Sequence, residues 1–92
     1  MAWTVILENE NKETIKRIGS EIIITRPLHL FKLLRYLDPY GDTIFNNKQM
    51  EDLIGDLQIL QQDHYTPLLD EVIEICLTCK TSAHTYVAFY GD

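Results

Sequence analysis

Two amphipathic helix patterns standing back to back between Asn46 and Lys80 restrict this chain more than any other feature. Met50, Leu53, Ile54, Leu57 and Leu60 recur at the three- and four-residue spacing that places apolar side chains on one helix face. Asn46 or Asn47 stands where a side-chain oxygen caps a first turn. Gln49 follows Asn46 by three residues, where it can reach back to the cap's own N–H. The spacing predicts a helix over about 47–62. Asp63-His64-Tyr65 breaks it, and Thr66-Pro67 starts a second, because proline at the first helical position gives up only an amide that would be unpaired anyway. Leu69, Val72, Ile73 and Cys76 form its expected buried side, and Lys80 sits near its negative end. Two such helices need an apolar layer to cover, and the rest of the chain must supply it.

That layer reads as strands. Residues 3–8 are rich in β-branched and aromatic side chains and run into the polar turn Asn9-Glu10-Asn11-Lys12. A second strand is expected over about 14–18, then a type II′ hairpin at Gly19-Ser20, then a third strand over 21–25 with Ile22 and Ile24 on one face. Arg26-Pro27 stops it, since proline lacks the amide a central ladder needs. Residues 28–37 fit two patterns. Leu30, Leu33, Leu34 and Leu37 make a helical stripe, whereas Phe31, Leu33 and Leu37 share one strand face, and a strand over about 31–37 is the expected outcome. Asp38-Pro39-Tyr40-Gly41-Asp42 is a firm turn, and residues 86–90 close the chain as a strand. The order predicts an α+β fold, an antiparallel sheet of about four to five strands with two helices packed on one face. At 92 residues the chain has room for one core, so residues 1–92 are expected to form a single domain. No linker interrupts it, although Tyr-Gly-Asp occurs at 40–42 and again at 90–92.

Charge narrows the partners. The net of −6 is not spread evenly: residues 1–42 hold six acids and six bases, while residues 43–92 hold eight acids against Lys48 and Lys80. An acidic flank repels nucleic acid phosphates and anionic membrane and attracts a basic protein. No apolar run is long enough to span a bilayer, and Met1-Ala2-Trp3-Thr4 lacks the basic start of a signal peptide, so the cytoplasm is the expected compartment.

Candidate chemistry is sparse. Cys76-x-x-Cys79 lies toward a helix end, where no dipole lowers a thiol pKa, and with His84 nearby it offers three zinc ligands where a structural site needs four. Buried, reduced, metal-free cysteines are the expectation. His29, His64 and His84 lack metal-ligand spacing, and no phosphate loop or serine-nucleophile elbow is present. Asp38 and Asp42 flank the Pro-Tyr-Gly turn and suit either a turn-forming role, a partner contact or a divalent cation. Glu51, Asp52, Asp70 and Glu71 are explained by the positive helix ends; Asp56, Asp63 and Glu74 are not, and a solvated face or a docking face accounts for them.

The string Leu33-Leu34-Arg35-Tyr36-Leu37-Asp38-Pro39-Tyr40-Gly41-Asp42-Thr43-Ile44-Phe45-Asn46, with Gln49-Met50 and a closing His84-x-Tyr86-x-x-Phe89-Tyr90-Gly91-Asp92, resembles a group of small uncharacterised bacterial proteins marked by LLRYxDPYGDTxFN. The resemblance implies no catalytic residues, and by analogy with small acidic proteins of this kind it suggests an immunity protein that neutralises a toxin. The expected function is therefore a non-enzymatic, cofactor-free protein-binding module that engages a basic partner through Asp38, Tyr40, Asp42, Asp56, Asp63 and Glu74. A small metal-dependent enzyme using Asp38 and Asp42, and a housekeeping homo-oligomer, remain the alternatives.

Overall fold

The computed structural model describes residues 2–91. Strands β1 (Ala2–Asn9), β2 (Thr14–Arg17), β3 (Ile22–Ile23), β4 (Asp42–Asn46) and β5 (Thr85–Gly91) form one antiparallel sheet, and helices α1 (Met50–Asp63) and α2 (Pro67–Lys80) complete the α+β fold. The order is β2-β1-β5-β4, with β3 also pairing β1. Register separates the two faces. Val5 lies opposite Phe89, Leu7 opposite Val87, Thr43 opposite Phe89 and Phe45 opposite Val87. Val5, Leu7, Phe45, Val87 and Phe89, with Trp3, build the core against Leu53, Leu57, Val72, Ile75 and Cys76 of the helices. Phe45 meets Phe89 edge to face, centroids 5.8 Å apart.

Both helices start as their sequences dictate. The Asn46 side chain accepts the Lys48 N–H at 3.0 Å and Gln49 accepts the Asn46 N–H at 2.9 Å, a capping box that leads through a 3₁₀ turn (Asn47–Gln49) into α1. Thr66 accepts the Leu69 N–H, with Pro67 at the start of α2. The buried side of α2 includes Ile75 and Cys79, while Ile73 is only half-buried.

Two expectations need correction. Residues 31–37 are not a strand: the segment forms two 3₁₀ turns, Leu28–Leu30 and Leu34–Tyr36. Phe31, Leu34 and Leu37 are buried, with Leu28 packed beside them, and this spacing of three matches the three residues per turn of a 3₁₀ ribbon rather than either pattern expected. The strand that joins the sheet in its place is β4, which follows directly on the 38–42 turn. Gly19-Ser20 is not a hairpin. β2 and β3 run in one direction along the same side of β1, Arg17 opposite Ile6 and Ile22 opposite Trp3, so two extra residues bulge out between them. Gly19 has no positive φ, and its N–H is held by Glu71 of α2 at 3.2 Å.

Candidate functional site

The sheet's second face is open among the described residues. It carries Thr4, Ile6 and Glu8 of β1, Tyr86, Ala88 and Tyr90 of β5, and Asp42, Ile44 and Asn46 of β4, all aligned by register. Glu8 pairs with Tyr86 and Thr4 with Tyr90, yet the Tyr90 hydroxyl donates to the Glu8 carboxylate. That bond therefore runs along the sheet over Ile6 and Ala88. It accounts for Ala88 being fully buried and Glu8 only 5% exposed on a face with no covering layer. Donation to Glu8, with burial and the charges of Glu8 and Asp42, pushes the Tyr90 phenol up to about 12.

A cleft of about 200 Å³ lined by Glu8, Glu10, Ile44 and Tyr86, with Asn9 and Lys12, opens at one end of this face. At its β4 corner the face meets the 38–42 turn. There the Asp38 side chain accepts the Tyr40 N–H at 2.9 Å, an Asx turn, and the Asp38 carbonyl accepts from the buried Trp3 indole at 3.0 Å. Thr43 ties the turn from β4, its hydroxyl accepting the Asp38 N–H at 3.3 Å and donating to the Tyr36 carbonyl at 3.3 Å. Held this way, Tyr36 and Tyr40 remain 65% and 80% exposed, so both aromatics face solvent. Residues 40–42 and 90–91 also meet here: Asp42 lies opposite Tyr90, and the Gly91 N–H donates to the Gly41 carbonyl at 2.9 Å.

Of the six expected contact residues, Asp38, Tyr40 and Asp42 come together at this corner. Asp56 does not belong to a surface. It is 3% exposed, and its carboxylate accepts the backbone N–H groups of Lys32, Leu33 and Leu34 at 3.2, 2.8 and 3.1 Å. Asp63 pairs with Arg26 across a separate cleft of about 300 Å³ floored by Ile22, Ile23, Leu60, Leu68 and Leu69. Glu74 stays exposed on α2. The acidic helical flank is largely engaged within the molecule: Asp52 lies 3.6 Å from Lys32, Asp70 accepts from Gln61 and Tyr65, and Glu71 holds Gly19.

Glu8, Tyr86 and Tyr90 stand on the open face and were missed by sequence reasoning. Their signal is a polar and aromatic alternate set within the two most apolar strands, the mark of a sheet face without a helix on it. Cys76 and Cys79 are both buried free thiols. Burial and the neighbouring Cys79 push Cys76 up to about 12, and burial raises Cys79, so neither is a thiolate at neutral pH. Among the described residues, no helix is long and apolar enough to cross a membrane. The chain matches no family model, no curated protein and no solved structure.

The Tyr90–Glu8 bond gives a testable pH dependence. A phenol whose folded pKa is raised keeps its proton in the native state, so its stabilisation is complete below the ordinary value of 10.0 and is lost as pH rises through about 12. Tyr90→Phe is expected to cost about 2 kcal/mol near neutral pH, the scale for a hydrogen bond to a charged group. The gap from the parent should close under alkaline conditions in melts run across this range. A gap that stays constant would place the effect elsewhere than in this bond.

Proposed function

We propose that this chain is a non-enzymatic protein-binding module, of the type of an immunity protein that neutralises a basic toxin, and that it docks its partner on the open sheet face and the adjoining 38–42 turn. One observation carries the reading: a face with no covering layer, composed of Ile6, Ile44, Tyr86 and Tyr90 with Glu8 and Asp42, continues into a turn that presents Tyr36 and Tyr40 to solvent. Rigid tyrosines offer large contact area at little entropy cost and are enriched among residues that dominate binding energy. The exposed Asp38 and Asp42 carboxylates beside them set the sign of the partner and steer its approach. Arg17 lies opposite Ile6 on β2, so acid concentrates toward β4 and base toward β2, which orients a partner as well as selecting it.

The reading is tested by site-specific photo-crosslinking in cells carrying the chain at its native level. A photoreactive phenylalanine analogue at Tyr40 or Tyr86 should capture a protein of basic isoelectric point. The same analogue at Leu77, 48% exposed on α2, should not. Capture from Leu77 alone, or of an acidic partner, would overturn the proposal.

A further inference from the structure

The hydrogen-bonding direction of the β4 edge follows from one contact. Because the Gly91 N–H donates to the Gly41 carbonyl at 2.9 Å, residues 41 and 91 are a hydrogen-bonded pair. The β4–β5 register then makes 43 with 89 and 45 with 87 hydrogen-bonded pairs as well. Asp42, Ile44 and Asn46 fall between them, so their own N–H and C=O groups point away from β5. No strand lies beyond β4 among the described residues. The Asn46 N–H is already taken by Gln49 at 2.9 Å, which leaves Asp42 and Ile44 each with a donor and acceptor directed outward. The side chains of these same residues lie on the open face, with Ile44 43% exposed.

From this arrangement we infer that β4 is a strand-addition site: an extended basic segment of the protein partner pairs with Asp42 and Ile44 and continues the sheet by one strand. The inference rests on the docking face proposed above and specifies how the partner is held. Backbone pairing supplies affinity, and alternate side chains supply selection. On the open face, the added strand places an apolar residue beside Ile44 and, two residues along, a basic residue beside Asp42 and within reach of the acidic turn. Charge also decides against a second copy as the occupant. Each chain carries a net −6, and the exposed Asp42 on a short edge is a feature that discourages pairing with itself.

The probe is a short acetylated peptide, Thr-Val-Thr-Lys-Thr, whose valine and lysine stand two residues apart on one strand face, titrated into the isotopically labelled full chain and followed by amide NMR. Binding should slow hydrogen exchange at Asp42 and Ile44. It should weaken about tenfold when the peptide's pairing amides are N-methylated, which corresponds to one or two hydrogen bonds lost. Ile44→Pro should weaken it similarly, because the removed N–H is not part of the β4–β5 ladder and proline is tolerated on an outward-facing edge. The N-methylated peptide carries the test should the proline variant fail to fold.

If binding ignores N-methylation and perturbs Tyr86 and Tyr90 but not Asp42 and Ile44, strand addition is wrong while the docking face stands. Equal binding of the same peptide with glutamate in place of its lysine, or no binding of either peptide, would overturn both. A chain that sediments as a dimer, with its Asp42 and Ile44 amides already protected, would make a second copy the occupant and overturn the inference.

Discussion

Asp56→Ala is expected to lower stability by about 3 to 5 kcal/mol, the scale for leaving several buried groups unpaired. The carboxylate satisfies three consecutive backbone N–H groups, those of Lys32, Leu33 and Leu34, in a segment with no sheet partner. Arg35 holds the same segment from the other side, its guanidinium donating to the Phe31 carbonyl at 2.6 Å and the His29 carbonyl at 3.1 Å. Two side chains thus do for residues 28–37 what a ladder does for a strand, and they hold Phe31 and Leu34 in the core. Alanine would strand the amides without offering water an easy route to them. Asp56→Asn should be less damaging than Asp56→Ala, because the amide oxygen still accepts while its NH₂ opposes a backbone N–H. Urea denaturation of Asp56→Ala, Asp56→Asn and the exposed Glu74→Ala ranks the three, with Glu74→Ala within about 0.5 kcal/mol of the parent. An Asp56→Ala loss no larger than that of Glu74→Ala would mean that the clamp is not what orders the segment. Charge reversal at Asp56 therefore reports on folding and cannot report on docking.

The same residue marks where the sequence is legible and where it is not. Both helices, their caps, the first and last strands and the α+β class follow from local chemistry: periodicity, Asn46 with Gln49, and Thr66 with Pro67. Asp56 flanks the apolar stripe of α1, three residues after Leu53 and four before Leu60, and its burial depends on what lies against that flank. What lies there is a segment 22 to 24 residues earlier in the chain. Tertiary partners of that kind leave no local mark. The 28–37 segment defeats sequence reading for a linked reason: its apolar period is three, between the strand and α-helical templates, and the distant Asp56 stabilises it. Gly19-Ser20 has hairpin chemistry, yet β1 offers a continuous edge along which β2 and β3 both pair, so the extra residues are accommodated as a bulge. At the candidate site, the Asp38-Pro39-Tyr40-Gly41-Asp42 turn is visible because its residues are turn formers. The open face needs the β1–β5–β4 register, which only the fold provides.

The repeated Tyr-Gly-Asp gives the second large effect. Gly91 lies against the 38–42 turn so closely that a Cβ there would sit 2.4 Å from the Asp38 carbonyl oxygen and 2.5 Å from the backbone of Pro39. Backbone cannot rotate aside, so Gly91→Ala must push the turn off the end of β5. The displaced Asp38 carbonyl is also the acceptor for the Trp3 indole N–H, and Trp3 is fully buried. Overpacking together with that lost bond should cost about 2 to 4 kcal/mol. Gly41→Ala should be milder, because its close contact at 2.7 Å is the Asp38 carboxylate oxygen, which a side-chain rotation can move. Gly55 supplies the opposite case: it lies within α1 with nothing within 4 Å of an added Cβ, so Gly55→Ala should gain about 1 kcal/mol from helix propensity alone. Trp3 is the chain's one tryptophan, so its emission reads the turn directly. A red shift and a lower melting temperature are expected for Gly91→Ala, with neither for Gly55→Ala. If Gly91→Ala kept the parent's emission and melting temperature, the turn would not be seated on β5, and the exposed Tyr36 and Tyr40 would lose the rigid support that makes them suitable contact residues.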